Sequence, residues 1–209
     1  KIVELSNENG RPKLENYAVL TDYDLALRNL VQDGAEKTPR AFDGEANPML
    51  RRLIKAGEIE SREVNMSVPI FSSFLTVMEL PQMSESEVAN AIQFEAKKYV
   101  PVPLDSVVID WFLIGASSDN PSTAPGAGKI SVLLVAIPKD LINEYTNIAR
   151  ETNLKLLTIE LETVSAARAL IGNDPVPAVL IDMGSRDTTI SVVDNGHLRI
   201  SHSIETSGE

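Results

Sequence analysis

MELPQMSESEVANAIQFEAKKYVPVPLDSVVIDWFLIG, running from Met78 to Gly115, packs start and stop signals of several elements into one uninterrupted stretch. A strand that begins near Ser72 and passes through Phe74, Thr76 and Met78 halts at Leu80-Pro81, because proline cannot donate to a sheet ladder. Ser84 and Glu87 then form an S-x-x-E capping box, the sequence signature of a helix start. Val88, Ala91, Ile92 and Tyr99 follow on one helical face, and Pro101 and Pro103 forbid continuation. Glu95 lies seven residues after Val88 and so lands on that apolar face, where an unpaired carboxylate is costly. Two readings answer this: an ion pair or capping contact with a neighbouring loop, or recognition of a bound peptide.

Downstream, Ser106 to Ile114 and Lys129 to Ile137 read as two strands joined by GASSDNPSTAPGAG, a stretch too poor in apolar surface to order itself and expected to be a mobile hairpin loop. Pro138 opens a helix carrying Leu141, Ile142, Tyr145, Ile148 and Ala149, and Leu154 to Leu161 reads as a further strand. Thr163 to Leu170 is a short helix, with Asn173 to Pro177 as the joint after it. Upstream, Ile2 to Leu5 and Tyr17 to Leu20 suggest a hairpin around the turn-rich Ser6 to Pro12 segment. A polar region from Thr21 to Asn47 includes one candidate helical turn, Leu25 to Val31. Asn47-Pro48 predicts a helix start with Asn47 as cap, Gly57 its end, and Glu63 to Ile70 a strand.

The last segment, VLIDMGSRDTTISVVDNGHLRISHSI from Val179 to Ile204, predicts a β-meander whose second turn, Asn195-Gly196, suits two residues at positive φ. Its first turn gathers Asp182, Gly184, Ser185, Thr188 and Thr189. Such a turn is either a solvated hairpin or half of a nucleotide site. In the second case Asp182 holds magnesium through water, Gly184 lets the backbone approach phosphate oxygens, and the hydroxyls donate to them. His197 and His202, five residues apart, are expected on opposite faces of their strand and are read as structural.

Composition narrows the functions. The 209 residues are 43% hydrophobic and 23% charged, enough for a real core in one large domain or two small ones. Nineteen lysines and arginines against 30 aspartates and glutamates give a net charge of -11, which repels nucleic acid and anionic lipid at long range. Nucleic acid is therefore not an expected partner. No apolar run approaches the roughly 20 residues that span a bilayer. The absence of cysteine rules out disulfides, thiolate metal sites and a cysteine nucleophile.

The quoted stretch closely resembles the PilM family of type IV pilus assembly proteins. The resemblance rests on Glu79-Leu80-Pro81 before a helix, Phe94-Glu95-Ala96 within it, Tyr99-Val100-Pro101-Val102-Pro103 at its end and Asp110-Trp111 in the next strand. The opening KIVELS resembles the strand after that family's first phosphate loop, and Val179 to Val193 its second phosphate loop. The resemblance implies an α/β, actin-like (ribonuclease-H-like) fold, similar to the cell-division protein FtsA, with an inserted small β-α-β-β-α subdomain. It implies part of a first subdomain over 1–70, the insert over 71–150, a return and joint over 151–175, and the start of a second subdomain over 176–209. It further implies ATP and magnesium as cofactors, with Asp182, Gly184, Ser185, Thr188 and Thr189 matching the nucleotide motif. A cytoplasmic position at the inner membrane follows, reached by holding the N-terminal tail of the membrane protein PilN beside the insert.

Phe71, Phe74 and Glu95 are the candidate partner contacts, with the groove expected between the Ile70 to Val77 strand and the first subdomain. Other pilus assembly proteins are further expected partners, and self-association stays open. The first phosphate loop is expected before Lys1 and the adenine-binding motif beyond Glu209, so this stretch alone is expected to bind ATP weakly or not at all. Alternatives on the same fold are an FtsA-like division protein, a type II secretion assembly protein, or an ATP-hydrolysing enzyme.

Overall fold

The computed structural model describes residues 1–20, 46–117, 128–184 and 187–204. The candidate turn Leu25 to Val31, most of the loop after Gly115, and Ser185 lie outside them. The chain divides into two compact units, residues 1–66 with 143–158 and residues 67–142 with 159–209.

In the first unit, strands β1 (Ile2–Glu8) and β2 (Arg11–Ala18) pair antiparallel. They extend further than their apolar alternation suggests, because Asn9 and Gly10, with φ of 54° and 81°, make a two-residue turn inside the polar segment. Helix α1 (Ala46–Ala56) follows. Asn47 does not cap it. Its side-chain amide donates to Glu151 instead, 104 residues away. Gly57 sits where the helix stops. A Cβ there would lie 2.9 Å from that of Ala18, so its role is close approach, while Glu58 takes the positive φ of 51°. The Glu4 carboxylate accepts from Asn16 Nδ2 at 2.7 Å, Ser61 N–H at 2.6 Å and Glu60 N–H at 3.0 Å. These donors, Asn16 foremost, hold its carboxyl below the usual range and tie the hairpin to the α1 exit.

Strands β3 (Glu63–Val68) and β7 (Lys155–Leu161) form a two-stranded ribbon. Within the first unit it carries a Lys155–Glu63 ion pair at 2.8 Å and a Thr158–Asn65 hydrogen bond at 2.8 Å.

The second unit holds two antiparallel three-stranded sheets. In one, β4 (Phe74–Pro81) and β5 (Val107–Ser117) flank β6 (Lys129–Pro138). Helix α2 (Glu85–Glu95) begins at Ser84, whose N–H and hydroxyl both donate to the Glu87 carboxylate at 2.8 and 2.7 Å. Val88 and Ile92 bury one helical turn apart and pack with Met78, Leu80, Val132, Leu134 and Ala136. Tyr99, expected on this face, is 43% exposed, because the chain tightens into a 3₁₀ turn at Ala96–Lys98 before reaching it. Helix α3 (Lys139–Glu151) follows β6 directly. The β-α-β-β-α element order read from the sequence is the order found.

After β7, helix α4 (Glu162–Leu170) leads to the meander of β8 (Ala178–Met183), β9 (Thr188–Asp194) and β10 (His197–Ile204), with β9 central. Asn195 and Gly196 take φ of 52° and 71°, as the hairpin turn requires. The histidine expectation fails: a register shift between Leu198 and Ile200 resets the alternation. His197 pairs with Asp194 and His202 with Ile190, four residues apart on β9, so both histidines face the same side. Arg199, displaced by that bulge, forms an ion pair with Asp194 at 3.1 Å and lies over Gly115, whose φ of 139° follows a second bulge in β5.

Candidate functional site

Asp182 is the penultimate residue of β8 and pairs across the ladder with Thr189, so the turn between β8 and β9 opens directly beside it. The turn closes through the Gly184 N–H, which donates to the Asp187 carbonyl at 2.9 Å. A Cβ on Gly184 would lie 3.0 Å from that same oxygen, which is why this position is a glycine. One carboxylate oxygen of Asp187 accepts the Thr189 hydroxyl at 3.2 Å and the Ser203 hydroxyl. Thr189 is buried, and its hydroxyl is thereby committed to fixing Asp187. Thr188 is half-buried and Asp182 exposed.

The structure adds a residue that sequence reasoning passed over. Glu162 heads α4 and accepts the Ile70 N–H at 3.1 Å. Burial pushes its carboxyl above the usual range; the Ile70 hydrogen bond opposes this, and the negative charges of Asp187 and Asp182 reinforce it. Three carboxylates therefore share one electrostatic neighbourhood around the turn. Among the described residues no three metal-ligating side chains converge on a point. That donor set suits magnesium held through water and phosphate oxygens, which needs only one or two carboxylates, and not a cage of protein ligands.

On the same unit, a cavity of about 400 Å³ is lined by Phe71, Phe74, Thr76, Tyr99, Pro101 and His202, together with neighbouring residues. Its construction follows from the backbone. Pro69 fixes the entry to a 3₁₀ turn over Ile70–Ser72, closed by the Ser73 N–H on the Ile70 carbonyl at 3.0 Å, and this turn projects Phe71 just before β4 begins with Phe74. Tyr99 to Pro101 close one side after α2, and Ser201 to Ser203 of β10 another. The Ser73 hydroxyl, also in the lining, is buried without a partner among the described residues. Glu95 lies outside this lining. Its carboxylate is paired with Lys98 at 2.7 Å, which answers the cost of placing it on the inner face of α2.

The first unit has a wider groove of about 710 Å³ beside Arg51, Lys55 and Arg62. Two of its cations are already spent on backbone: Arg51 on the Glu151 carbonyl, Arg62 on those of Ile59 and Ser61. No described helix is long and apolar enough to cross a membrane.

The sequence matches the family described as type IV pilus assembly protein PilM over residues 1–206. Among solved structures, one titled as a PilM-PilN type IV pilus biogenesis complex superimposes with a TM-score of 0.73 at 17% identity, over 99% of this chain and 58% of that one. The cytoplasmic domain of EpsL, an inner-membrane component of the Vibrio cholerae type II secretion system, superimposes with a TM-score of 0.53 at 9% identity, over 76% of this chain and 56% of that one. The chain thus spans just over half the length of the structures it matches. Its fold is the mixed α/β fold of actin-like ATPases.

Proposed function

The chain belongs to the type IV pilus assembly protein PilM family, and from that premise we propose that it is part of an actin-like, nucleotide-responsive scaffold that docks the N-terminal tail of PilN at the inner membrane. The four segments expected over 1–70, 71–150, 151–175 and 176–209 are part of this reading, with the insert presenting the docking surface. The observation that carries it is the cavity in which Phe71 and Phe74 meet Tyr99 and the edge of β10. Aromatic walls offer large, stiff contact area to apolar side chains of an extended peptide. The unpartnered Ser73 hydroxyl gives that peptide's backbone a polar group to satisfy.

ATP with magnesium is the proposed cofactor. Asp182 and Asp187 would hold the cation through water, with Gly184 leaving the backbone free to approach phosphate; the Asp182–Thr189 pairing beside the turn and the close approach at Gly184 support this reading. When bound, the group supplies charge neutralisation and a shape constraint at the turn. A cytoplasmic location, peripheral to the inner membrane through PilN, goes with this reading.

Titrating a PilN N-terminal peptide into the full-length protein by calorimetry tests it. A dissociation constant on the micromolar scale, about -8 kcal/mol, is expected. Absence of heat at high peptide concentration, with and without Mg-ATP, would remove the reading. A second reading, ATP hydrolysis, draws on Glu162 as a carboxylate near Asp182. Steady turnover that disappears in Asp182→Ala with the fold intact would favour it.

A further inference from the structure

Asn-Gly occurs twice in the sequence, at Asn9-Gly10 and Asn195-Gly196, and both dipeptides form hairpin turns with both residues at positive φ. We propose that Asn9 is a site of spontaneous covalent modification, deamidating through its bond to Gly10, and that the packing around Gly196 protects the chemically equivalent Asn195.

The step is intramolecular. The Gly10 backbone nitrogen loses its proton to hydroxide and attacks Cγ of the Asn9 side chain. The new N–Cγ bond closes a five-membered succinimide. The Cγ–Nδ2 bond breaks, and the leaving nitrogen takes a proton from water, departing as ammonia and regenerating the hydroxide. Water then opens the ring at either carbonyl, leaving aspartate or a β-linked isoaspartate, so the balance is one water consumed and one ammonia lost. Glycine allows the attack most readily, because no Cβ shields its nitrogen. Ring closure requires the asparagine backbone to rotate out of the turn, so in a folded protein the rate follows how readily the turn opens.

The two turns differ in what holds them closed. A Cβ built on Gly196 would lie 2.7 Å from the Gly172 carbonyl oxygen and 3.3 Å from the Asn173 Cα, so this turn rests directly on the segment after α4. The Asn195 carboxamide donates to the Asp194 carboxylate at 3.0 Å, and the Asn195 carbonyl accepts from His197 Nδ1 at 2.7 Å. Buried Val193 and Leu198 anchor the strand ends on either side. At Gly10, a Cβ would meet nothing within 4 Å beyond its chain neighbours, and every residue from Leu5 to Glu15 is exposed. The attacking nitrogen is tied by a hydrogen bond to Asn7 Oδ1 at 2.8 Å, at the exposed tip of the hairpin. Conversion places a carboxylate next to Glu8, and the isoaspartate form adds a backbone carbon that breaks the two-residue turn joining β1 to β2.

Incubating the full-length protein in mildly alkaline buffer at physiological temperature, with mass spectrometry of its digest at intervals, reads both positions in one sample. Conversion at Asn9 should run at least about 5-fold faster than at Asn195. Synthetic peptides spanning Ser6 to Lys13 and Val192 to Arg199 remove the fold, and should convert within about 2-fold of each other. Asn7→Ala, which frees the Gly10 N–H, should speed conversion at Asn9 by about 2-fold or more and leave Asn195 unchanged. A ratio near one in the intact protein, or one equal to that of the two peptides, overturns the proposal. So does an Asn9 that stays intact while its peptide converts. An Asn7→Ala rate equal to the wild-type one also contradicts it, because opening of the turn would then not control the step.

Discussion

The sheet built on β6 and the meander built on β9 have the same strand count and the same antiparallel order, yet they treat their two faces differently. Every residue of β6 from Ser131 to Ile137 is buried, so both faces of its sheet are covered around that strand. The meander buries one face. Thr189, Ser191, Val193 and Leu198 lie inside, while Val179, Ile181, Met183, Ile190, Ile200 and Ile204 are exposed on the other. The inner face is also partly polar, with Ser191 and Ser201 sharing a hydrogen bond at 2.7 Å and Thr189 and Ser203 converging on Asp187. The contrast separates a region whose stability comes from dense apolar packing from one whose geometry is fixed by hydroxyls around a carboxylate.

Six substitutions, one of them read by a pH titration, probe that contrast. Met78, 1% exposed between α2 and the β6 sheet, should show the largest effect: Met78→Ala should cost about 3 kcal/mol in urea unfolding. A loss below about 1 kcal/mol would mean the insert core repacks and is not the dense region described. Next, Val193→Ala on the inner face of β9 should cost about 2 kcal/mol, whereas Ile181→Ala on the exposed face should change stability by less than about 0.5 kcal/mol. Equal costs for the pair would erase the distinction between the two faces.

Where the two regions meet at the cavity, Phe71→Ala should weaken PilN peptide binding about 10-fold, or about 1.4 kcal/mol by calorimetry. Removing the helix-start hydroxyl in Ser84→Ala should cost about 1 kcal/mol of thermal stability, confined to the insert. The smallest effect is electrostatic. Arg168, bonded to Glu160 at 2.8 Å, holds that carboxyl below its usual range. A depressed folded-state value means the contribution is present above the ordinary carboxylate range of about 4 and is lost as pH falls through the lowered value. Because Arg168 is mostly solvent-exposed, the loss should be under about 1 kcal/mol and should vanish in Arg168→Met.

The parts of the fold that were legible in the sequence are those fixed by neighbours in the chain. Ser84 with Glu87, Pro81, Pro101 and Asn195-Gly196 each set a boundary within a few residues, and the structure places those boundaries there. What was not legible depends on partners distant in sequence. Asn47 looked like a cap but is claimed by Glu151, and Glu162 gave no local signal because its partner Ile70 is 92 residues earlier. Asp187 lies five residues after Asp182 and was passed over because its role comes from Thr189 and Ser203 folding onto it. The histidine faces were misread for a related reason: a bulge at Leu198 to Ile200 changes strand parity, and nothing in the local alternation announces it.

Hydrogen–deuterium exchange of the full-length protein with saturating PilN N-terminal peptide tests the docking account most directly. The account predicts slowed exchange at Ile70 to Thr76 and at Ser201 to Ser203, and no slowing around Arg51 to Arg62. Protection confined to the Arg51 to Arg62 groove, or absent from the Phe71 turn while the peptide is bound, would contradict it.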